Sequence, residues 1–161
     1  MPADIGKTFL TQSREFLISD YFPKIERCLE ALGDEDVWWR AGEGSNSIGN
    51  LLLHLEGSTR MWIVDVAGGS KSPRNRQQEF DERRQIPKAE LVGRLKRMLA
   101  EAGDVLSRLD AGTLLEFRAS PWEEVTVFWA IYHAVEHFSM HTGQIIMIAK
   151  MRAGGDLRLS D

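Results

Sequence analysis

Residues 132–145 read YHAVEHFSMHTGQI and hold three of the chain's four histidines, His133, His137 and His141, spaced four apart. On an α-helix each residue turns ~100°, so positions four apart drift only ~40° around the axis. The three imidazoles therefore lie along one slowly winding strip. Ala130, Ala134, Ile145 and Ile148 mark the apolar arc of the same wheel; His137 and His141 fall within it, and His133 falls at its edge, nearer Trp129 and Glu136. The fourth histidine, His54, lies far upstream in NLLLHLEG, on an apolar stripe with Leu51, Leu55 and Ser58. Two helices, each turning imidazole toward a core, are the starting point for the fold.

Apolar residues recur at three and four along the whole chain, and no run alternates over the length of a strand. A first segment spans about 5–32, with Pro23 inside it expected to bend or split it near Phe22, because proline removes a donor and clashes one turn back. A second runs about 47–67, capped by Ser47 or Ser45 and stopped by Gly68-Gly69. A third runs about 87–110 from Pro87. The fourth has two candidate starts: SPWE at 120–123 resembles a capping box, but the β-branched VTV at 125–127 favours Thr126 as the cap after an extended or turn approach. It continues to about Met151, before Gly154-Gly155. The connection at 68–86 is too long and polar for a tight turn, and a crossover of that length lets the second and third helices run parallel. The expectation is an all-α four-helix bundle.

The 161 residues suit one domain, since a single core serves ~100–200 residues. A net charge of −4 argues against a general nucleic-acid binder. No stretch approaches the ~18 apolar residues of a membrane span, and MPADIGKTFL lacks the basic start and apolar run of a signal peptide. A cytoplasmic protein is expected. The single Cys28 excludes an internal disulfide and a cysteine-built zinc site; its helical spacing with Ile25, Leu29 and Leu32 makes it a buried thiol rather than a reactive one.

Neutral imidazole nitrogens bind divalent transition metals at ~2.0–2.1 Å, and a pair four apart on one helix can converge on one ion. His133 and His141 are ~12 Å apart along the axis, so all three cannot ligate together. His137 and His141 with His54 make a three-histidine centre whose remaining positions are open, as in catalytic sites. Burying two adjacent imidazoles without a shared partner would leave unpaired polar groups, which is costly. Gln144, seven residues past His137, can orient a ligand or a water, or instead bond between helices. Di-iron bundles need Glu-x-x-His pairs and zinc proteases need HExxH; neither occurs here. Haem ligation lacks CxxCH and gives no reason for three clustered imidazoles.

NSIGNLLLHLEG at 46–57 and HFSMHTGQI at 137–145 resemble the two histidine motifs of the DinB/YfiT-like superfamily of metal-binding four-helix bundles. WWRAGEGSNSIGN resembles a bacterial subgroup of unassigned function within it. The likeness covers essentially the whole chain. It implies parallel second and third helices, a divalent metal (zinc or nickel), often a homodimer, and metal ligation by His54, His137 and His141, with Asn50 in the N-x-x-x-H motif beside them. In the best-understood relatives the metal serves transferases or isomerases that use a low-molecular-weight thiol. His133 lies outside the triad, as support, substrate contact or surface.

An ion so held lowers a bound water's pKa toward ~7 or deprotonates a thiol. The expected function is therefore a metal-dependent transferase or hydrolase, acting on a small-molecule thiol, an electrophile, or both. The alternative is a non-catalytic, metal-stabilised binding or dimerisation module. In the crossover, Arg74 or Arg76 is placed to receive a carboxylate of the substrate or thiol, against the simpler reading of a solvated loop with self-paired charges. Trp38, Trp39 and Trp62 either wall a pocket or pack the core.

Overall fold

Pro23 does not break the first helix. In the computed structural model, which describes residues 4–159, α1 (Ile5–Glu15) runs into a wide π-helical segment, Phe16–Tyr21, and on into α2 (Phe22–Glu30). The Phe22 N–H donates to Leu17 O, five residues back. The proline, with no N–H, thus follows directly on the widened turn, where its missing donor is accommodated without a break. A short α3 (Asp34–Val37) follows.

α4 (Ile48–Thr59) begins at Ser47, whose hydroxyl accepts from the Asn50 N–H while the Asn50 side chain bonds back to the Ser47 N–H. It too passes into a π segment, Arg60–Ala67, where Met61, Trp62, Ile63 and Val64 are all buried. The wider turn ends at Gly68, and Gly69 takes φ +79°, a conformation glycine tolerates. The crossover is not featureless: it contains α5 (Arg76–Asp81), capped by Asn75 and laid against α4. α6 (Lys88–Arg108) follows Pro87.

The approach to the last helix is a small antiparallel hairpin, β1 (Phe117–Ala119) with β2 (Glu124–Thr126). The SPWE stretch forms its turn: Ser120 Oγ accepts from the Trp122 and Glu123 N–H groups. Thr126 caps α7 (Val127–Ala153) through the Trp129 N–H, and Gly154 at φ +70° ends it. Strand over 117–119 escapes periodicity because three residues are too few to display alternation.

Cross-helix contacts set the directions. Glu56 pairs with Arg94 and Arg60 with Glu101, so α4 and its π extension ascend with α6, parallel, as the crossover permits. His54 meets His137 and Trp62 meets Trp129, so α4 and α7 are antiparallel. Phe9 stacks on Phe128 and Tyr21 on Phe138, so the first helix and α7 are parallel. A single buried cluster includes Leu17, Ile25, Leu51, Leu55, Leu95 and Ile131. Cys28 lies fully within it. No helix among the described residues is long and apolar enough to cross a membrane.

Candidate metal centre

His54 projects from α4 and His137 and His141 from α7, and their ligating nitrogens all lie within 4.8 Å of one another. His137 Nε2 stands 3.1 Å from His54 Nε2 and 3.1 Å from His141 Nε2. The helix spacing explains the pair on α7, and the antiparallel crossing supplies the third ring. His54 and His141 are buried, and His137 is partly so.

The outward nitrogens decide the tautomers. His54 Nδ1 is 2.8 Å from Glu79 Oε2, and His141 Nδ1 is 2.7 Å from Gln144 Oε1. An ionised carboxylate and an amide carbonyl only accept, so both Nδ1 atoms carry the hydrogen. In the neutral rings both Nε2 atoms then present lone pairs to His137. His137 Nε2 can hold one hydrogen at most, too few to satisfy two facing acceptors; its Nδ1 lies 3.4 Å from Ser58 Oγ. Three Nε2 atoms converging with their outer nitrogens anchored is a donor set that fits a divalent cation.

Protonation favours the same state. Burial, reinforced by neighbouring His141, His54, His133 and Arg74, depresses His137 to about 3. Burial also lowers His141, partly opposed by its Gln144 bond. Burial would raise Glu79, but hydrogen bonds from His54 and Arg74 outweigh it and keep the carboxyl below its usual value. His137 and His141 are thus held neutral, as metal ligation by imidazole requires, and Glu79 is an anion.

Glu79 sits in α5, within the crossover, and pattern alone does not single it out among Glu79, Asp81 and Glu82. Arg74 holds it through Nε to Oε1 at 2.7 Å and Nη2 to Oε2 at 2.9 Å. Phe80 lies against the His54 ring, with centroids 4.6 Å apart. A usable signal was Gly57, three residues after His54: a Cβ there would collide with Glu79 Oε1. Asn50, buried, does not reach the histidine cluster. Its Oδ1 accepts from Ser47 and Arg40, and its Nδ2 donates to the backbone carbonyls of Glu79, Phe80 and Glu82. It therefore holds the crossover, and Glu79 with it, against α4.

Beside the histidines opens a cavity of about 350 Å³, lined by His54, Ser58 and His137 and by Trp62, Trp122 and Trp129. His133 lies in its wall, stacked on Trp129 at 4.8 Å with its Nδ1 2.8 Å from Glu136, and is not part of the converging triad. Arg76 lines the cavity too, whereas Arg74, although it borders it, is occupied by Glu79. Of the tryptophans weighed from sequence, Trp62 walls the cavity. Trp38 packs over Gly49 and donates Nε1–H to Ile86 O, and Trp39 lies beneath Arg152. Trp122, in the hairpin turn, is the wall that periodicity had no means of assigning.

A bundle with parallel second and third helices, and three histidines meeting from the second and fourth, places the chain in the DinB/YfiT-like class. A solved DinB-like protein from Bacillus cereus ATCC 10987 has a similar fold, with a TM-score of 0.70 over 92% of this chain and 93% of that one. The identity is 13%, so this likeness is one of fold. The mycothiol-S-transferase family model matches residues 12–150, and the chain belongs to that family. No match was found among curated proteins.

Proposed function

We propose that the protein is a metal-dependent transferase that joins a low-molecular-weight thiol to an electrophilic acceptor. The observation that carries this reading is the convergence of three Nε2 atoms at the edge of a cavity, in a chain of the mycothiol-S-transferase family. His54, His137 and His141 hold the cation, and Glu79 and Gln144 keep two of those rings in the Nδ1–H tautomer. When bound, a divalent cation at this position lowers the pKa of a thiol, making a sulfur nucleophile available near neutral pH.

The chain's own residues supply position. Imidazole ligands, being uncharged, leave the cation's full charge to act on the thiol, and the cavity wall keeps the acceptor near the histidine cluster. In the reaction the thiol sulfur forms a bond to the acceptor carbon. The bond from that carbon to its leaving group breaks with its electron pair, and the thiol proton passes to solvent. Water is the competing nucleophile, and family membership favours the thiol.

A metal-stabilised module without activity would be expected to surround its cation with protein groups. Here His54 and His137 instead face a cavity large enough for a small molecule. The test is conjugate formation by the metal-loaded protein, followed by mass spectrometry, with mycothiol and simpler thiols against an alkyl-halide acceptor. Conjugate that disappears in His137→Ala supports the transferase. A cation that raises the melting temperature while no thiol is consumed supports the module.

A further inference from the structure

The wall of the cavity differs in kind from an ordinary core. Trp62 is buried, but Trp129 is 41% exposed and Trp122 is 66% exposed, and both border the same space. Their centroids lie 5.2 and 5.7 Å from that of Trp62, and His133 stacks on Trp129 and leads to His137 at 5.6 Å. The rings come from three separate elements: the π segment after α4, the hairpin turn, and α7. Large aromatic side chains left part-exposed around one concavity mark a ligand site, and flat rings favour flat partners.

Arg76 adds a guanidinium at the edge of the same cavity. Arg74 is paired with Glu79, Arg84 with Glu82, Arg94 with Glu56 and Arg60 with Glu101. Among the described residues Arg76 has no carboxylate partner; its guanidinium instead rests 4.8 Å over the Phe80 ring, which also lies against His54. Glu123, from the hairpin turn, also lines the cavity. With Arg74 satisfied, Arg76 and Glu123 offset one another, and a divalent cation on the histidines makes the site net positive.

Resting on the transferase reading above, we infer that this cavity takes the electrophilic substrate, and that the substrate is a planar aromatic molecule carrying an anionic group. Its ring stacks among Trp62, Trp122 and Trp129, and its anion meets Arg76, a guanidinium whose fork matches a carboxylate. At about 350 Å³ the cavity lies toward the small end of ligand pockets, ~300–1,000 Å³, and suits one or two fused rings.

Calorimetric titration of the full metal-loaded chain tests this with four probes: 2-naphthoate, 2-naphthalenemethanol, cyclohexanecarboxylate and a neutral disaccharide. The expected result is that naphthoate binds about tenfold or more tightly than each of the others. Arg76→Gln removes its advantage over the neutral alcohol, and Trp122→Leu weakens both aromatic probes. Trp122 and Arg76 stand at the surface, so both variants retain the fold, which circular dichroism verifies. Equal binding of naphthoate and cyclohexanecarboxylate, tighter binding of the disaccharide, or an unchanged naphthoate advantage in Arg76→Gln would each overturn the inference. Binding is read without turnover. A chain that binds naphthoate as expected but is inactive toward every thiol would sink the transferase reading and leave only the cavity's preference for planar aromatic anions standing, whereas turnover of aliphatic acceptors with no affinity for naphthoate would do the reverse.

Discussion

Glu79 Oε2 lies 2.8 Å from His54 Nδ1 across 25 residues of chain. The carboxylate fixes which nitrogen of His54 carries hydrogen and aims the other at the cluster. Partners of this kind raise ligand basicity, and their loss typically costs 10–100-fold in metal affinity. Glu79→Ala is therefore expected to weaken cation binding by about 10–100-fold with helix content retained. Competition against a chromogenic chelator measures it, and unchanged affinity would remove Glu79 from the site.

Gly57 provides the space for that carboxylate. Alanine in a helix interior is more favourable than glycine by ~0.8–1 kcal/mol, so propensity alone predicts a stabler protein. The added methyl meets both Glu79 Oε1 and Arg74 Nε, so the ion pair they form swings away as a unit. Gly57→Ala is expected to keep or raise the melting temperature while losing metal affinity in the same direction as Glu79→Ala. Full affinity in this variant would mean that Glu79 can serve His54 from another position.

Asn50 bonds three crossover carbonyls from a fully buried position. Truncation removes the donor to Glu79 O and weakens the tie to Phe80 O and Glu82 O, which keep Arg83, at about 1 kcal/mol. Asn50→Ala is expected to lower stability in urea by that amount and to expose residues 68–86 to proteolysis ahead of the bundle. Uniform proteolytic resistance would show that α5 is held by other contacts.

Much of the fold is legible in the sequence alone. Four long periodic segments announce helices, since each must bury one stripe. With only four histidines, the wheel leaves few ways to pair them inward. Glu79 was not legible, because a crossover of alternating charges becomes specific only when α5 folds back on α4. Neither π segment was legible either: a shift from four- to five-residue bonding leaves the apolar composition unchanged. Trp122 was hidden because SPWE satisfies a helix cap and a hairpin turn equally well until β1 pairs with β2.

Cys28 is a test of what the site does not use. Burial pushes its thiol from 9.0 up to about 11, partly opposed by the Lys150 charge. Above pH 9 the unfolded chain loses this proton and the folded chain keeps it, so the unfolded state binds fewer protons and stability falls as pH rises toward 11. At neutral pH the folded protein is expected to leave a thiol-reactive disulfide reagent unconsumed until denaturant is added. Rapid labelling of the native protein would reinstate Cys28 as a candidate nucleophile.

The most direct measurement is the metal content of the purified chain beside His54→Ala, His137→Ala and His141→Ala, by elemental mass spectrometry after dialysis. The expected result is about one divalent cation per wild-type chain, with each substitution removing most of it. A wild-type protein that retains no cation, or a variant that retains it in full, would contradict a centre built from these three rings.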